Sequence, residues 1–152
     1  MNRDIKARAG DRVSLEDAVR RGLRMYMTRA NVFSYQVAER AGLGYTDLHC
    51  LGLLQLQGPM SAGELARCTG LTTSAITAAI DRLERGGLAR REPDPSDRRR
   101  VIVRLDDENF NRRIVPLYAA KSAGEAPVLT RFTDEELAVV RDFLAALEEA
   151  DG

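Results

Sequence analysis

The chain reads SAGELARCTGLTTSAITAAIDRLERGG over residues 61–87, a stretch that contains two short helical patterns separated by a glycine. Ser61 and Glu64 stand three residues apart, which is typical of a capping box at the start of a helix. Gly70 is expected to end that helix, because glycine readily adopts the left-handed conformation found at helix ends. Two short helices joined by a glycine-containing turn predict a helix-turn-helix.

The second helix of this pair is predicted to begin at Thr72 or Thr73, whose hydroxyl groups can cap it, and to end at the glycine pair 86–87. Its inward-facing residues recur at helical spacing and are Ile76, Ile80 and Leu83. The outer face carries small and polar groups, which suit a helix that enters the major groove of DNA. The candidate DNA-binding residues of this helix are Thr72, Thr73, Ser74, Thr77, Ala78, Arg82 and Arg85. A solvated face without a target is the alternative interpretation of this helix taken alone.

Residues 88–105 read LARREPDPSDRRRVIVRL, in which two strand-like runs flank a loop rich in proline and aspartate. This pattern predicts a β-hairpin with a longer loop, the wing that follows a helix-turn-helix in winged proteins. The loop presents Asp97 and then Arg98, Arg99 and Arg100, whose adjacent guanidinium groups repel one another. We expect them to contact phosphate or the minor groove, with Asp97 restraining an arginine by pairing with it. A solubilising charged turn is the alternative interpretation.

The helices that flank this region carry apolar stripes that one small lobe cannot cover. The first is predicted to begin with a cap at Ser14 and to end at Gly42 or Gly44. A second helix, capped by Thr46 and Asp47, leads into the helix-turn-helix. We therefore expect the first helix to need a partner along its stripe, which a homodimer would supply.

After the hairpin, Pro116 is expected to bend or split one helix, and a second capping box at Thr133 and Glu136 starts an amphipathic last helix. The predicted fold is therefore mainly α with a small β-hairpin wing: a winged helix-turn-helix with about six helices, as a homodimer. Four segments follow from this pattern, namely a flexible basic arm over 1–13, a dimerisation helix over 14–45, a DNA-binding domain over 46–105 and dimerisation helices over 106–152.

The composition is that of a folded globular protein, with 44% hydrophobic and 30% charged residues. The sequence contains no apolar run long enough for a membrane span and no apolar stretch of a signal peptide, so a cytoplasmic location without membrane contact is expected. The formal net charge is zero, yet Thr72–Leu105 holds eight arginines against five acidic residues. Affinity for DNA comes largely from neutralised phosphates, so this segment is the one expected to face DNA.

Residues that could support catalysis or bind a metal are scarce. His49 is the single histidine, and Cys50 and Cys68 lie outside metal-ligand spacings, so neither a metal nor a cofactor is expected. Cys50 is predicted to be a packed thiol and Cys68 an inert, partly exposed one. The sequence therefore predicts a protein that is not an enzyme. A protein-interaction module or anti-repressor that keeps the winged fold without binding DNA is the alternative.

Three pieces of this sequence together resemble the MarR (multiple antibiotic resistance regulator) family of winged-helix regulators, over about residues 46–105. They are Leu65-Ala66 through Gly70-Leu71-Thr72, then Ile80-Asp81-Arg82-Leu83-Glu84 with its glycine pair, and Asp94-Pro95-Ser96-Asp97-Arg98-Arg99. The resemblance implies a transcriptional regulator, in the first instance a repressor, that binds a palindromic operator in double-stranded DNA. It implies a triangular homodimer held by the first and last two helices.

The resemblance also implies control by a small ligand or by cysteine oxidation. A small aromatic or anionic effector is the expected ligand. The candidate lining residues lie where the long first helix, the second helix and the Pro116 helix are expected to meet, and they are Tyr26, Phe33, His49 and Tyr118. The effector itself, the regulated genes and the operator sequence are not readable from these residues.

Overall fold

The computed structural model describes the backbone of residues 2–97 and 99–151 and the side chains of residues 12–97, 99–119 and 121–150. Within these residues the chain forms helices α1 (Asn2–Ala41), α2 (Tyr45–Gln57), α3 (Ala62–Thr69) and α4 (Thr73–Arg85), then strands β1 (Ala89–Pro93) and β2 (Val101–Leu105), then helices α5 (Asp107–Arg113), α6 (Val115–Leu129) and α7 (Asp134–Asp151). This order confirms the predicted helical fold with a small hairpin.

The predicted helix count of about six becomes seven in the described residues, because the helix around Pro116 is split in two. Ile114 lies between α5 and α6 with φ −103° and ψ −48°. Pro116 then occupies the first turn of α6, where its missing N–H is not needed for a helical hydrogen bond. Pro116 therefore marks a helix start.

Helix α1 begins at Asn2, so the predicted start at Ser14 is wrong and the segment 1–13, predicted as a flexible arm, is helical from Asn2 onward. Ser14 sits inside the helix, and the Arg12 guanidinium lies 3.0 Å from Glu16 one turn further on. Serine followed by acids has the chemistry of a cap, but the helix that begins among good helix formers such as Lys6, Ala7 and Arg8 continues through Ser14. The predicted end is confirmed, since Gly42 follows the helix with φ 69°.

Helix α2 has Gly44 at its N-cap and no side-chain cap, so the predicted capping by Thr46 and Asp47 is wrong. Asp47 lies in the first turn of the helix with only 2% of its surface exposed. Its carboxylate accepts hydrogen bonds from Arg82 of α4, which explains why it does not cap its own helix.

One apolar core joins the end of α1, α2, α3, α4, the hairpin and α5. The predicted inward residues Ile76, Ile80 and Leu83 are confirmed, because each is completely buried. They share this core with Leu51 of α2 and Leu65 of α3, which are equally buried. Burial of a large aliphatic side chain contributes on the order of 1.5–3 kcal/mol, so this cluster fixes α4 in place.

The predicted hairpin is confirmed, with β1 and β2 antiparallel in the register Ala89↔Leu105 to Pro93↔Val101. A further bridge, not predicted from the sequence, joins Met60 to Val103 through backbone N···O distances of 3.1 and 2.7 Å. This bridge connects the hairpin to the segment just before α3. The wing and the helix-turn-helix are therefore one structural unit.

Across the described residues, no helix combines the length and the apolar character that crossing a bilayer requires.

The two cysteines differ in environment, as the sequence predicted. Cys50 is completely buried in α2, whereas Cys68 on α3 is exposed. Burial raises the pKa of the Cys50 thiol to about 11, and the nearby Asp47 carboxylate adds to the rise. Because the thiolate is the reactive form, Cys50 stays unreactive below that pKa.

We expect a disulfide reagent such as DTNB to modify Cys68 but not Cys50 in the folded protein at mildly alkaline pH, and both cysteines after unfolding in guanidinium. Counting released thiolate by absorbance checks this result. The Cys68→Ser variant is the control and should release none until it unfolds. Rapid release from folded Cys68→Ser would show that α2 opens to solvent.

Candidate nucleic-acid interface

The first turn of α4 is held by its N-terminal threonine. The Thr72 hydroxyl accepts the backbone N–H of Ala75 at 3.3 Å and lies 3.1 Å from the Ser74 hydroxyl. Such a cap satisfies a backbone donor that the helix itself cannot use. Thr72 therefore acts first as a cap, which fixes where the exposed face of the helix begins.

The exposed face of α4 is made of short side chains, as the sequence predicted. The residues that the structure leaves exposed on the first half of the helix are Thr73, Ser74, Ala75, Thr77 and Ala78, all of them predicted DNA-binding residues except Ala75. Arg85 lies in the last turn, exposed, with its Nε donating to the Asp81 carbonyl at 3.2 Å. The structure thus collects these predicted residues on the side of α4 opposite the buried Ile76, Ile80 and Leu83.

Arg82, also predicted to bind DNA, has a protein partner in the structure. Its Nε donates to Asp47 Oδ2 at 2.9 Å and its Nη2 donates to Asp47 Oδ1 at 2.6 Å. These bonds raise the pKa of the Arg82 guanidinium, which in any case stays charged. The Arg82 side chain is 45% exposed and that of Asp47 is 2% exposed. Arg82 is therefore held by a buried carboxylate while about half of its side chain stays exposed to solvent.

The role of Asp47 was missed because its short-range chemistry resembles a helix cap. One signal was available in the sequence: Asp47 falls on the same helical stripe as Leu51 and Leu54, which are buried. A carboxylate on a buried stripe requires a cationic partner. The sequence could not identify which arginine supplies it.

The loop of the wing is shaped by two aspartates. Asp94 accepts the backbone N–H and the hydroxyl of Ser96 at 2.8 and 2.7 Å, and these bonds hold its pKa below the usual range. Asp97 accepts the backbone N–H of Arg99 at 3.0 Å, and the expected pairing with a guanidinium is not seen among the described residues, which exclude Arg98. Because a short side chain reaches its own loop backbone more easily than a long neighbouring guanidinium, Asp97 orders the turn itself.

The arginines of the wing have different environments. Arg98 lies outside the described residues. Arg99 is exposed at the turn, whereas Arg100 donates to Glu64 of α3 at 3.3 Å and lies 4.0 Å from Asp94. Glu64 is also the second residue of the capping box, and hydrogen bonds from Ser61 hold its pKa below its usual range. Arg100 thus connects the wing to the start of α3, and Arg99 faces solvent.

Most other arginines of the segment face carboxylates. Arg91 lies 2.7 Å from Asp81 and also contacts Glu84. The remaining pairs are Arg104 with Glu92, and Arg90 with Glu92 and Asp106. In the part of the chain that the structure describes, Arg85 and Arg99 are the arginines of Thr72–Leu105 without a carboxylate partner. Among the described residues of this segment, these two guanidinium groups are therefore the ones whose charge no carboxylate offsets.

A cavity of about 260 Å³ lies between α1, α2 and α6, and two of the four predicted ligand-binding residues, His49 and Tyr118, line it. An adjoining cavity of about 410 Å³ shares Leu48, Gly52 and Tyr118 with it. Desolvation raises the pKa of Tyr118, so its hydroxyl stays protonated at neutral pH. The two cavities together form one mostly apolar recess, which we call the α2 recess.

The other two predicted ligand-binding residues lie outside the α2 recess. Phe33 packs edge-on against Tyr118, with ring centroids 5.5 Å apart. Tyr26 is 57% exposed, and its hydroxyl lies 3.5 Å from the ammonium of Lys121. Tyr26 is two helical turns from Phe33 along α1 and so extends beyond the recess. The ammonium of Lys121, a residue not predicted from the sequence, also lies 5.5 Å from the centroid of the Phe33 ring.

Comparison with known proteins agrees with this geometry. The model of the MarR family matches residues 41–100. The chain is 37% identical over 133 residues to the uncharacterized HTH-type transcriptional regulator YcgE of Bacillus subtilis, covering 88% of this chain and 86% of that protein. It is 30% identical over 112 residues to the HTH-type transcriptional repressor MdtR of the same organism, covering 74% of this chain and 72% of that protein.

The fold is also shared with a solved structure. A MarR family protein from Bacillus stearothermophilus superposes with a TM-score of 0.64 at 26% identity, over 87% of this chain and 91% of that one. The family model, the similarity to YcgE and this superposition agree with the winged helix-turn-helix that the structure contains. The chain therefore belongs to the MarR family of helix-turn-helix transcriptional regulators.

Proposed function

We propose that this protein represses transcription by binding a palindromic operator in duplex DNA as a homodimer, and that a small aromatic or anionic molecule in the α2 recess modulates the binding. The observation that carries the proposal is the exposed face of short side chains on α4 beside a wing whose Arg99 has no carboxylate partner among the described residues. Repression is supported by the similarity to MdtR, which is named a repressor.

The two elements would contribute differently to DNA binding. Ser74, Thr77 and Ala78 are short enough for α4 to enter a groove roughly 12 Å wide and to bring hydrogen-bonding groups to base edges. Arg85 and Arg99 are charged and exposed, so they suit phosphate oxygens or the minor groove. Asp94 and Asp97 hold the loop that carries Arg99, which reduces the entropy lost on binding.

We expect Arg99→Ala to weaken binding both to a duplex selected by the wild-type protein from a random library and to a scrambled duplex. The plot of log affinity against log salt should become shallower by about one unit per lost phosphate contact, or about two for a dimer. Fluorescence anisotropy over a salt series measures both quantities. Arg141→Ala on α7, which removes the same charge from an exposed pair with Asp142, is the matched control and should change neither.

Thr77→Phe should weaken binding to only one of the two duplexes. A bulky group at this exposed position obstructs groove entry without removing positive charge, so binding to the selected duplex should fall while binding to the scrambled duplex persists.

An Arg99→Ala variant with unchanged affinity and slope on both duplexes would mean that the wing is a solvated turn.

Dimerisation is supported by apolar side chains that one protomer leaves uncovered. Leu15 of α1 is 66% exposed, and Val140 and Leu144 of α7 are also exposed. A groove of about 510 Å³ between these helices is lined by Leu15, Val19, Leu23, Phe143 and Leu147 together with Arg12, Glu16 and Arg20. Soluble monomers rarely leave such contiguous apolar surface in water, so a second copy is the expected cover.

We expect Phe143→Glu to convert the dimer into a monomer and to abolish tight operator binding, because an unpaired carboxylate is costly to bury at an apolar interface. Sedimentation velocity gives the oligomeric state. Glu149→Gln, also on the exposed surface of α7, is the control and should remain dimeric. A Phe143→Glu protein that still sediments as a dimer would place the interface elsewhere.

The α2 recess is suited to a small ligand with an apolar body and a polar edge. Leu48 and Leu53 supply apolar surface, and Asn31, His49 and Tyr118 supply hydrogen-bonding groups. Pockets of several hundred Å³ with a few polar groups are typical of small-molecule sites. Gly52 lines both parts of the recess, and a Cβ atom added there meets no heavy atom within 4 Å.

We expect benzoate or 4-hydroxybenzoate to raise the Tm of the wild-type protein and to lower its affinity for the selected duplex. Gly52→Leu should abolish both responses by filling the recess, while Gly124→Leu, at another open helical glycine, should respond like the wild type. Thermal-shift and anisotropy measurements provide the two readouts. If neither these acids nor a wider panel of aromatic acids and phenols changes either quantity, the effector proposal is wrong.

A further inference from the structure

We infer that the pair formed by Asp47 and Arg82 is a positioning contact, through which a buried carboxylate of α2 sets the orientation of α4 and so determines how well the protein distinguishes its operator from other DNA. This inference rests on the proposed function and names a residue, Asp47, that is too deeply buried to touch DNA itself.

The geometry of the pair restricts α4 in more than one direction. Both oxygens of Asp47 are used, with Nε–Oδ2 at 2.9 Å and Nη2–Oδ1 at 2.6 Å. A bidentate contact between a planar guanidinium and a carboxylate fixes the distance between the groups and also their relative rotation. The two residues are separated by 35 positions, so the contact joins helices that local sequence does not align.

Apolar packing alone would define this orientation less sharply. Ile76, Ile80 and Leu83 hold α4 in the core, but apolar contacts are non-directional and tolerate small rotations of a helix. Ser74, Ala78 and Arg82 follow one another at intervals of four residues and therefore lie along one stripe of α4. Fixing the guanidinium of Arg82 thus also fixes the rotation of the stripe that faces outward.

Stability is a weaker explanation for the pair. A buried ion pair gains little net stability over well-packed apolar groups, because the attraction between the charges is offset by the hydration that a buried charge loses. Only Asp47 has left water here, since the Arg82 side chain remains 45% exposed. The pair therefore places an exposed, oriented guanidinium beside the short side chains of α4, which is what a protein that reads a groove requires.

Asp47→Asn separates positioning from simple charge. Removing a negative charge from the DNA-binding lobe should strengthen binding to every duplex if only charge matters. If Asp47 positions α4, affinity for the duplex selected by the wild-type protein should instead fall by roughly tenfold or more, because the variant weakens the hydrogen bonds between two charged groups. Affinity for the scrambled duplex should stay level or rise. Anisotropy with both duplexes measures the ratio.

Asp81→Asn is the matched control. Asp81 is exposed on the same helix, next to Arg82, and its partner Arg91 keeps the contact with Glu84. This variant removes the same charge without touching the Asp47 contact. We expect its affinity for both duplexes to rise together, with an unchanged ratio.

Circular dichroism melting shows whether each variant is folded. If Asp47→Asn is unfolded, Asp47→Glu decides, because it keeps the net charge and leaves Arg82 in place but lengthens the carboxylate side chain and so changes the geometry of the contact. A folded variant that loses selectivity supports the inference, and one that matches the wild-type ratio overturns it. A wild-type protein that does not prefer the selected duplex would instead overturn the proposed function.

Discussion

Burial of one face of α4 is the constraint on which the rest of the structure depends. Ile76, Ile80 and Leu83 have no exposed surface, and they bring α2, α3 and the hairpin around a single helix. Once that face is buried, the short side chains from Thr73 to Ala78 must lie on the outside. The exposed surface of α4 is thus a consequence of the core, and any change that rotates α4 in the core alters the surface offered to DNA.

The parts of the fold that the sequence predicted are those set by neighbours in the chain. The capping boxes at Ser61 and Thr133 form as predicted, because a cap needs only a side chain and a backbone group three residues away. The start of α1 is not at Ser14, because a local cap pattern does not show whether the helix has already begun further upstream. Contacts between distant positions, such as Arg82 with Asp47 or Arg100 with Glu64, carry no local signal.

Charge shows the same limit of sequence reasoning. The count of arginines in Thr72–Leu105 predicts an anion-facing segment, but it gives every arginine equal weight. In the structure most of the described ones face carboxylates, several supplied by residues outside the segment such as Asp47, Glu64 and Asp106. Because a paired guanidinium has part of its charge neutralised nearby, an unpaired arginine should contribute more to phosphate binding than a paired one. Composition alone cannot make that distinction.

The first turn of α2 contacts both the proposed ligand recess and the proposed DNA-reading helix α4. Asp47 binds Arg82 of α4, and the next two residues, Leu48 and His49, line the recess. A helical turn moves as a unit because its backbone hydrogen bonds are short and directional. Suppose that this turn can occupy a second position, in which Asp47 and Arg82 are displaced. A ligand that binds the second position more tightly than the one seen here would therefore reduce DNA affinity. The coupling requires only that the ligand bind these two positions with unequal affinity.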